Sequence, residues 1–342
     1  MVRLGQGAYV GFGLGAFGTA MTNADMELFF RVTDAFDGIQ VERDRIEFAD
    51  LTSEYKLASL IKAGHRRVTG TISLMATFDG LQDILRMVTG HNVASSGTVG
   101  TYSWAFSPPT RTSGSHYVLA NGYALGIEVY RGDNTAAGAL QSTFYQDCTI
   151  QQCQVSFEPN GFVQITLTFI GTHYTLNTKT VSPTFKTNYM VTPTGQVAGA
   201  NDFLTLDGGG YICHGAGFTI NTGLDFRHDI TSIGTLLPMP SGKQEISIDA
   251  EIESDDDTFL NILDDPEGSR FSSGTFLLYG SASEQLLVSF DELVLNSPAE
   301  PRAAGLGPVR TSLSMEAQSS AVGTPAYTIT LTNAESAYTL VV

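Results

Sequence analysis

The sequence is short of positive charge, of cysteine and of long apolar runs, and each shortage excludes something. Lys and Arg number 18 against 35 Asp and Glu, a formal charge of −17 over 342 residues, and only 15% of residues are charged. A protein that grips nucleic acid through its phosphates needs a Lys/Arg surplus, so that class is excluded. Three cysteines, Cys148, Cys153 and Cys213, are an odd count and no disulfide framework. No run approaches about 18 consecutive apolar residues, so no transmembrane helix is expected. Met1-Val2-Arg3-Leu4-Gly5 has no apolar core followed by a small-residue cleavage site. No signal peptide is therefore expected, and the cytoplasm of the producing cell is the default compartment.

Catalytic signatures are equally scarce. The chain has no G-x-S-x-G, no H-E-x-x-H and no P-loop, and its six histidines are scattered. Gly13-Leu14-Gly15-Ala16-Phe17-Gly18 matches G-x-G-x-x-G. A dinucleotide site needs a βαβ unit around that motif, and the surroundings read as antiparallel β, so a flexible glycine-rich N-terminal segment is expected instead. A metal site of Cys148, Cys153, Cys213 and His214 would lack the tight ligand pairs that metals favour. Buried or half-buried thiols are the expectation, with Cys148 and Cys153, five apart on one strand, on opposite faces. These readings predict no enzyme, no catalytic residue, no cofactor and no metal.

What the chain has in abundance is period-two alternation. Val68, Ile72 and Leu74 oppose Thr69, Thr71 and Ser73. Val163, Ile165, Leu167 and Phe169 oppose Gln164, Thr166 and Thr168. Val309, Leu313 and Met315 oppose Arg310, Ser312 and Ser314. Half-buried antiparallel strands give this pattern, and Glu158-Pro159-Asn160-Gly161 reads as a hairpin turn. Helical spacing occurs twice. Phe78, Leu81, Ile84, Leu85 and Val88 share a face, with Asp79 as N-cap and Gly90 past the end. Phe259, Ile262 and Leu263 make a shorter copy behind Asp255-Asp256-Asp257. That acidic run caps a helix N-terminus or, alternatively, forms a calcium loop, although the D-x-D-x-D-G spacing is absent.

The order strand, helix, strand, hairpin occurs twice. The strand Val68–Ala76 and its helix correspond to Glu245–Glu253 and Phe259–Leu263. Gly126–Tyr130 corresponds to Thr275–Tyr279. The hairpin Thr149–Phe157 with Phe162–Ile170 corresponds to Leu286–Leu295 with Val309–Met315. Ile84 maps to Ile262 at an offset of 178 and Val163 to Val309 at 146, so the first copy holds a longer loop at about 91–122. This is a duplicated domain of mainly β structure: two tandem antiparallel β-sandwich or barrel domains, 1–180 and 200–342, each with one short packing helix. The linker is read as Thr172 to Gly199. The long loop carries Tyr102, Trp104 and Phe106, either tucked in as a hydrophobic anchor or offered as a contact arm.

Charge divides unequally between the halves. Met1–Tyr189 holds 15 acidic and 13 basic residues, and Met190–Val342 holds 20 and 5. On the strand Glu245–Glu253, alternation puts Glu245, Asp249, Glu251 and Glu253 on one face, which must be solvated or paired.

The glycine-rich opening Ala8-Tyr9-Val10-Gly11-Phe12-Gly13…Phe17-Gly18-Thr19-Ala20 resembles the start of tail tube (major tail) proteins of long-tailed bacteriophages. So do the strand Val68–Ala76 and the segment Phe78-Asp79-Gly80-Leu81-x-x-Ile84-Leu85. The resemblance covers the first 175 residues or so, and the second copy more loosely. It implies a structural virion protein, made in the host cytoplasm and located in the virion tail. Its sandwiches form six-domain rings that stack into a DNA conduit. Two domains per chain then imply three chains per ring. The implied partners are the chain itself, a tape measure and a tail terminator. DNA would transit without specific binding, and no membrane is involved. Glu245, Asp249, Glu251 and Glu253, with the uncharged Gln152, Gln154, Gln164 and Thr166, are the candidate lumen residues. Tyr102, Trp104 and Phe106 are candidates for an inter-subunit or inter-ring contact. The alternative is a two-domain β-sandwich binding or adhesion module on a virion or cell surface, presenting those three aromatics as a platform.

Overall fold

The computed structural model describes residues 7–32, 38–49, 58–108, 121–132, 141–159, 161–192, 203–228, 235–240, 243–253, 270–281, 283–298, 302–303 and 309–340. The first half supplies β1 (Tyr9–Ala16), β2 (Leu28–Arg31), β3 (Gln40–Ala49), β4 (Ala58–Met75) and helix α1 (Leu81–Thr89). After the helix come β5 (Ser96–Thr98), β6 (Thr101–Phe106), β7 (Tyr123–Tyr130), β8 (Gln141–Phe157), β9 (Gln164–Gly171) and β10 (His173–Thr178). The second half supplies β11 (Leu204–Leu206), β12 (Gly209–Tyr211), β13 (Cys213–Asn221), β14 (Leu224–His228), β15 (Thr235–Pro240), β16 (Glu245–Glu253) and β17 (Arg270–Phe271). It ends with β18 (Gly274–Ser281), β19 (Glu284–Phe290), β20 (Glu292–Pro298), β21 (Arg302–Ala303), β22 (Val309–Gln318) and β23 (Tyr327–Asn333). The protein is mainly β, built on two large antiparallel sheets, as the alternation predicts.

The larger sheet has 14 strands and runs through both halves, because β8 pairs with β13. The smaller has seven strands, in the order β12-β11-β18-β19-β23-β6-β5. Their facing apolar sides make the core. Phe157 of β8 stacks on Phe276 of β18 at 6.1 Å, and Phe203 meets both rings edge-on or tilted. Val68, Ile72 and Leu74 are buried, as are Val163, Ile165, Leu167, Phe169, Leu313 and Met315. The alternation of β4, β9 and β22 thus points their apolar residues inward.

The two halves have matching registers. Ile72 pairs with Leu167, and the offsets of 178 and 146 carry that pair onto Ala250 and Leu313, which also pair. The same shifts carry Gly70↔Phe169 onto Ile248↔Met315, and Leu74↔Ile165 onto Ile252↔Thr311. In each half the strand before the helix position pairs with the last strand of the following hairpin. The second helix position, Phe259–Leu263, and the run Asp255–Asp257 lie outside the described residues, as does the calcium reading placed on them.

Helix α1 is wholly buried. Its N-cap is Gly80 in the left-handed region (φ 79°), not Asp79. A glycine there has no capping side chain, and Glu335 supplies the acceptor instead: its Oε2 takes the Gly80 N–H at 2.7 Å. A carboxylate at that end also offsets the helix dipole. Lys186 and the Gln82 amide both donate to the same carboxylate group. Gly90 ends the helix as expected, left-handed at φ 72° and donating to Arg86 O at 3.0 Å.

Four further expectations need correction. The N-terminal glycine run is strand β1, paired with β2 and β7 and buried along Tyr9–Leu14. Its glycines serve close packing: a Cβ on Gly13 would lie 2.2 Å from the carbonyl oxygen of Asp25. Cys148 and Cys153 are both buried in the core, because a register irregularity between Ile150 and Gln152 resets the alternation. The expected linker begins as strand β10, and Met190 is inserted between Ala76 and Val163 by backbone hydrogen bonds. Leu286–Leu295 is not one strand; the chain turns at Asp291 and passes from one sheet to the other.

Candidate functional site, one polar sheet face

The eight candidate lumen residues come from three strands of the 14-stranded sheet: β9 pairs with β8, and β13 joins β8 to β16. Gln164 and Thr166 are on β9, Gln152 and Gln154 on β8, and the four carboxylates on β16. Register sets them side by side. One row reads Ser73, Thr166, Gln154, Thr219, Ser247 and Glu316 across β4, β9, β8, β13, β16 and β22. The row beside it reads Thr71, Thr168, Gln152, Asn221 and Glu245. On the other side lie Met75, Gln164, Ser156, Gly217, Asp249 and Ser314. All eight side chains therefore stand on one face, opposite the core, and all are exposed or half-exposed.

The face is polar, but unevenly charged. Its β4–β9–β8 part carries hydroxyls and amides, with Thr71 against Thr168 at 3.5 Å and Ser73 against Thr166 at 3.2 Å. Its β16–β22 part carries carboxylates, most of them paired. Glu251 lies 3.5 Å from Arg310, Glu245 3.4 Å from Lys243, and Glu253 2.7 Å from His214 Nε2. Asp249 has no ion-pair partner among the described residues. These pairs are largely solvent-exposed, so each is worth ~0–1 kcal/mol and leaves the local field negative. An open groove of ≈ 440 Å³ runs over the bare glycines Gly215 and Gly217, between Gln154 and Ser156 on one side and Asp249, Glu251, Ser312 and Ser314 on the other.

Thr219, Asn221, Ser312, Ser314 and Glu316 belong to the same face, although only the β22 serines announce themselves by alternation. On β13 the run Cys213-His214-Gly215-Ala216-Gly217 has too few side chains to show a period.

Tyr102, Trp104 and Phe106 are on β6, which crosses to the other half and pairs with β23. Trp104 and Phe106 are buried inside this chain, and Tyr102 is half-exposed. Trp104 packs on Tyr338 at 4.8 Å and donates its indole N–H to Asn333. Of the two readings of this segment, the geometry is that of a tucked anchor, and it presents no aromatic platform.

Among the described residues no group of three or more His, Cys, Asp or Glu is placed to hold a metal. Cys148 and Cys153 are free and buried, Cys213 is half-buried, and His214 is turned to Glu253. Burial pushes the Cys153 thiol up to about 12 and the Cys213 thiol up to about 11, so neither is a thiolate at neutral pH.

The face is thus broad and polar, hydroxyls and amides on its β4–β9–β8 part and carboxylates on its β16–β22 part. No curated protein matches the chain. The sequence profile of the phage tail tube protein family matches residues 15–319, most of the chain, and the protein therefore belongs to the phage tail tube family.

Proposed function

We propose that the polar face lines the bore of the tail tube, and that three copies of the chain close each ring with pseudo-sixfold symmetry. Family membership already gives the coarse role: a structural component of the virion tail that self-assembles into a tube and associates with other tail components. The finer reading takes residues 1–180 and 200–342 as two copies of one tube unit. The polar face then draws on both copies, with Gln152, Gln154, Gln164 and Thr166 in one and Glu245, Asp249, Glu251 and Glu253 in the other.

The observation that carries this reading is the shared face. Residues from both halves stand side by side on a single sheet, in registers related by the repeat. DNA carries about one negative charge per 1.7 Å of axis, so basic walls would trap it. Hydroxyls, amides and mostly paired carboxylates let it slide. In this reading the tape measure and the tail terminator are the other tail partners, and the chain is made in the host cytoplasm.

Ring stoichiometry tests it. Particles of the purified protein should have the mass of three 36.6 kDa chains and, in electron micrographs, six lobes around a hole. A ring of six chains, or a stable monomer under all conditions, is the contrary outcome.

A further inference from the structure

A lysine and a glutamate are held in contact at the entrance to helix α1. Nζ of Lys186 meets Oε1 of Glu335, and the two side chains are only 20% and 23% exposed. By contrast Lys243, which pairs with Glu245 and Glu316, is 77% exposed. Both partners are fixed at the backbone. The Lys186 N–H donates to Phe29 O at 3.1 Å, and the Glu335 N–H donates to Asn333 Oδ1 at 3.1 Å. The stem of Lys186 lies over Gly80, where a Cβ would stand 3.2 Å from its Cγ and 3.3 Å from its Cε. A bare glycine leaves the stem its room.

The two oxygens of Glu335 have different surroundings. Oε2 accepts the Gly80 N–H at 2.7 Å and the Gln82 amide, while Oε1 is left to Lys186. Two donors on one carboxyl oxygen stabilise the charge that gathers there when an amine adds to the carbon. A further carboxyl, Asp79, directly precedes Gly80. Its Oδ1 is buried and has no hydrogen-bond partner among the described residues. Burial, and then the charge of Glu335, push the Asp79 carboxyl above its ordinary range, against the pull of Lys186 and Asn188. Glu284, which accepts from the Asn188 amide at 2.8 Å, adds to the rise. Asp79 is thus a carboxyl that holds a proton readily and feels both members of the pair.

We propose that Lys186 and Glu335 condense to a side-chain amide, a covalent cross-link within the chain, with Asp79 as the proton carrier. Nζ attacks Cδ of Glu335, and the C–N bond forms while Oε2 holds the developing charge against Gly80 and Gln82. The Cδ–Oε1 bond then breaks. Two protons shed by the ammonium leave with Oε1 as water, relayed through Asp79. Ammonium and carboxylate become amide and water, so the step balances without an oxidant, a cofactor or a second substrate. Groups held in contact by a fold react as if at about 10⁵–10⁸ M in well-oriented cases, which favours the bond here over the same reaction between free groups. The linked residues are 149 apart, and the loop they close encloses every strand from β11 to β23. A pull on those strands is then borne by a covalent bond instead of by one ion pair. The proposal is independent of which surface faces the bore.

Intact-mass spectrometry of the full-length chain, before and after assembly, tests it. The expected mass is one water below that of the sequence, and a protease digest should contain one branched peptide joining Lys186 to Glu335. Lys186→Arg keeps the charge but its guanidinium stays protonated and does not condense, so that chain should have its full sequence mass. Glu335→Gln keeps the acyl group and should lose ammonia in place of water. Asp79→Ala should leave the bond unformed and Asp79→Glu should restore it, with far-UV circular dichroism unchanged in both. Full sequence mass in both the free chain and the assembled protein overturns the proposal. So does a water deficit that survives Lys186→Arg, because Asp79-Gly80 can also lose water by closing its side chain on its own backbone.

Discussion

The indole N–H of Trp104 donates to Oδ1 of Asn333 at 3.2 Å, across 229 residues of chain. The Asn333 amide in turn donates to Phe78 O at 2.8 Å and Gln82 Oε1 at 3.0 Å. One buried asparagine thus ties β6, β23 and α1 together. Trp104→Ala should cost ~3–5 kcal/mol, the usual range for emptying a large aromatic site. Asn333→Ala should cost ~1–3 kcal/mol by leaving buried partners unsatisfied. Trp104 is the one tryptophan, so its emission reports this contact alone. Urea unfolding followed by emission and by far-UV circular dichroism should give one coincident transition; two separated transitions would mean that the halves unfold independently.

Glycines should sort by what stands beside them. A Cβ on Gly13 meets the Asp25 backbone at 2.2 Å, whereas a Cβ on Gly215 meets nothing within 4 Å. Gly13→Ala should therefore lower stability by at least ~1–3 kcal/mol, the cost of overpacking. Gly215→Ala should change it by less than ~0.5 kcal/mol. Thermal melting of the two variants side by side decides this, and equal melting temperatures would refute it.

Reversing the charge of the polar face should separate assembly from transport. Replacing Glu245, Asp249, Glu251 and Glu253 together by Lys breaks only exposed or half-exposed ion pairs, each worth ~0–1 kcal/mol. Rings and tubes should persist. Passage of DNA should be impeded, measured as a fall in infectivity of virions carrying the variant, and the effect should weaken with added salt. Unchanged infectivity would remove these residues from the bore.

The stability contributed by Asp83, which holds the Thr339 and Leu340 amides, should fall as pH rises through about 6. Asp83 accepts from the amides of Thr339 and Leu340, both at 2.9 Å, and lies 3.6 Å from Arg86. Burial nevertheless outweighs those contacts and pushes its carboxyl up to about 6. A carboxyl raised in the folded state binds its proton more tightly there than in the unfolded chain. Its contribution is therefore full below the ordinary carboxylate range and is lost as pH climbs through about 6. Asp83→Asn should flatten this part of the profile. Melting temperatures between pH 4 and 7 measure it, and parallel profiles for the two proteins would contradict the assignment.

The parts of the fold that were legible in the sequence are those where one strand face is wet and the other dry. Gln164, Thr166 and the carboxylates of β16 announce their face by alternation, because a period of two is a local property. Three kinds of feature were hidden. Strand β1 is buried along most of its length, and glycines stand where a polar face would be, so Tyr9–Leu14 reads as flexible. The irregularity near Gln151 shifts Cys153 to the core by one residue, and nothing in the local composition marks it. The partners of Trp104 and of the α1 N-terminus, Asn333 and Glu335, lie more than two hundred residues downstream. A reading of local pattern finds the strand and the helix but not what completes them.

The contacts between helix α1 and residues 335–340 also set an order of events. Helix α1 is made early, but the carboxylate that caps its N-terminus and the segment that donates to its buried Asp83 and accepts from its Arg86 belong to residues 335–340. Those residues leave the ribosome well over two hundred residues after the helix, and domains otherwise tend to fold from the N-terminus as they emerge. A nascent or truncated chain therefore cannot finish the first half of its core. The first-half core therefore closes only once a segment from the second half has been made.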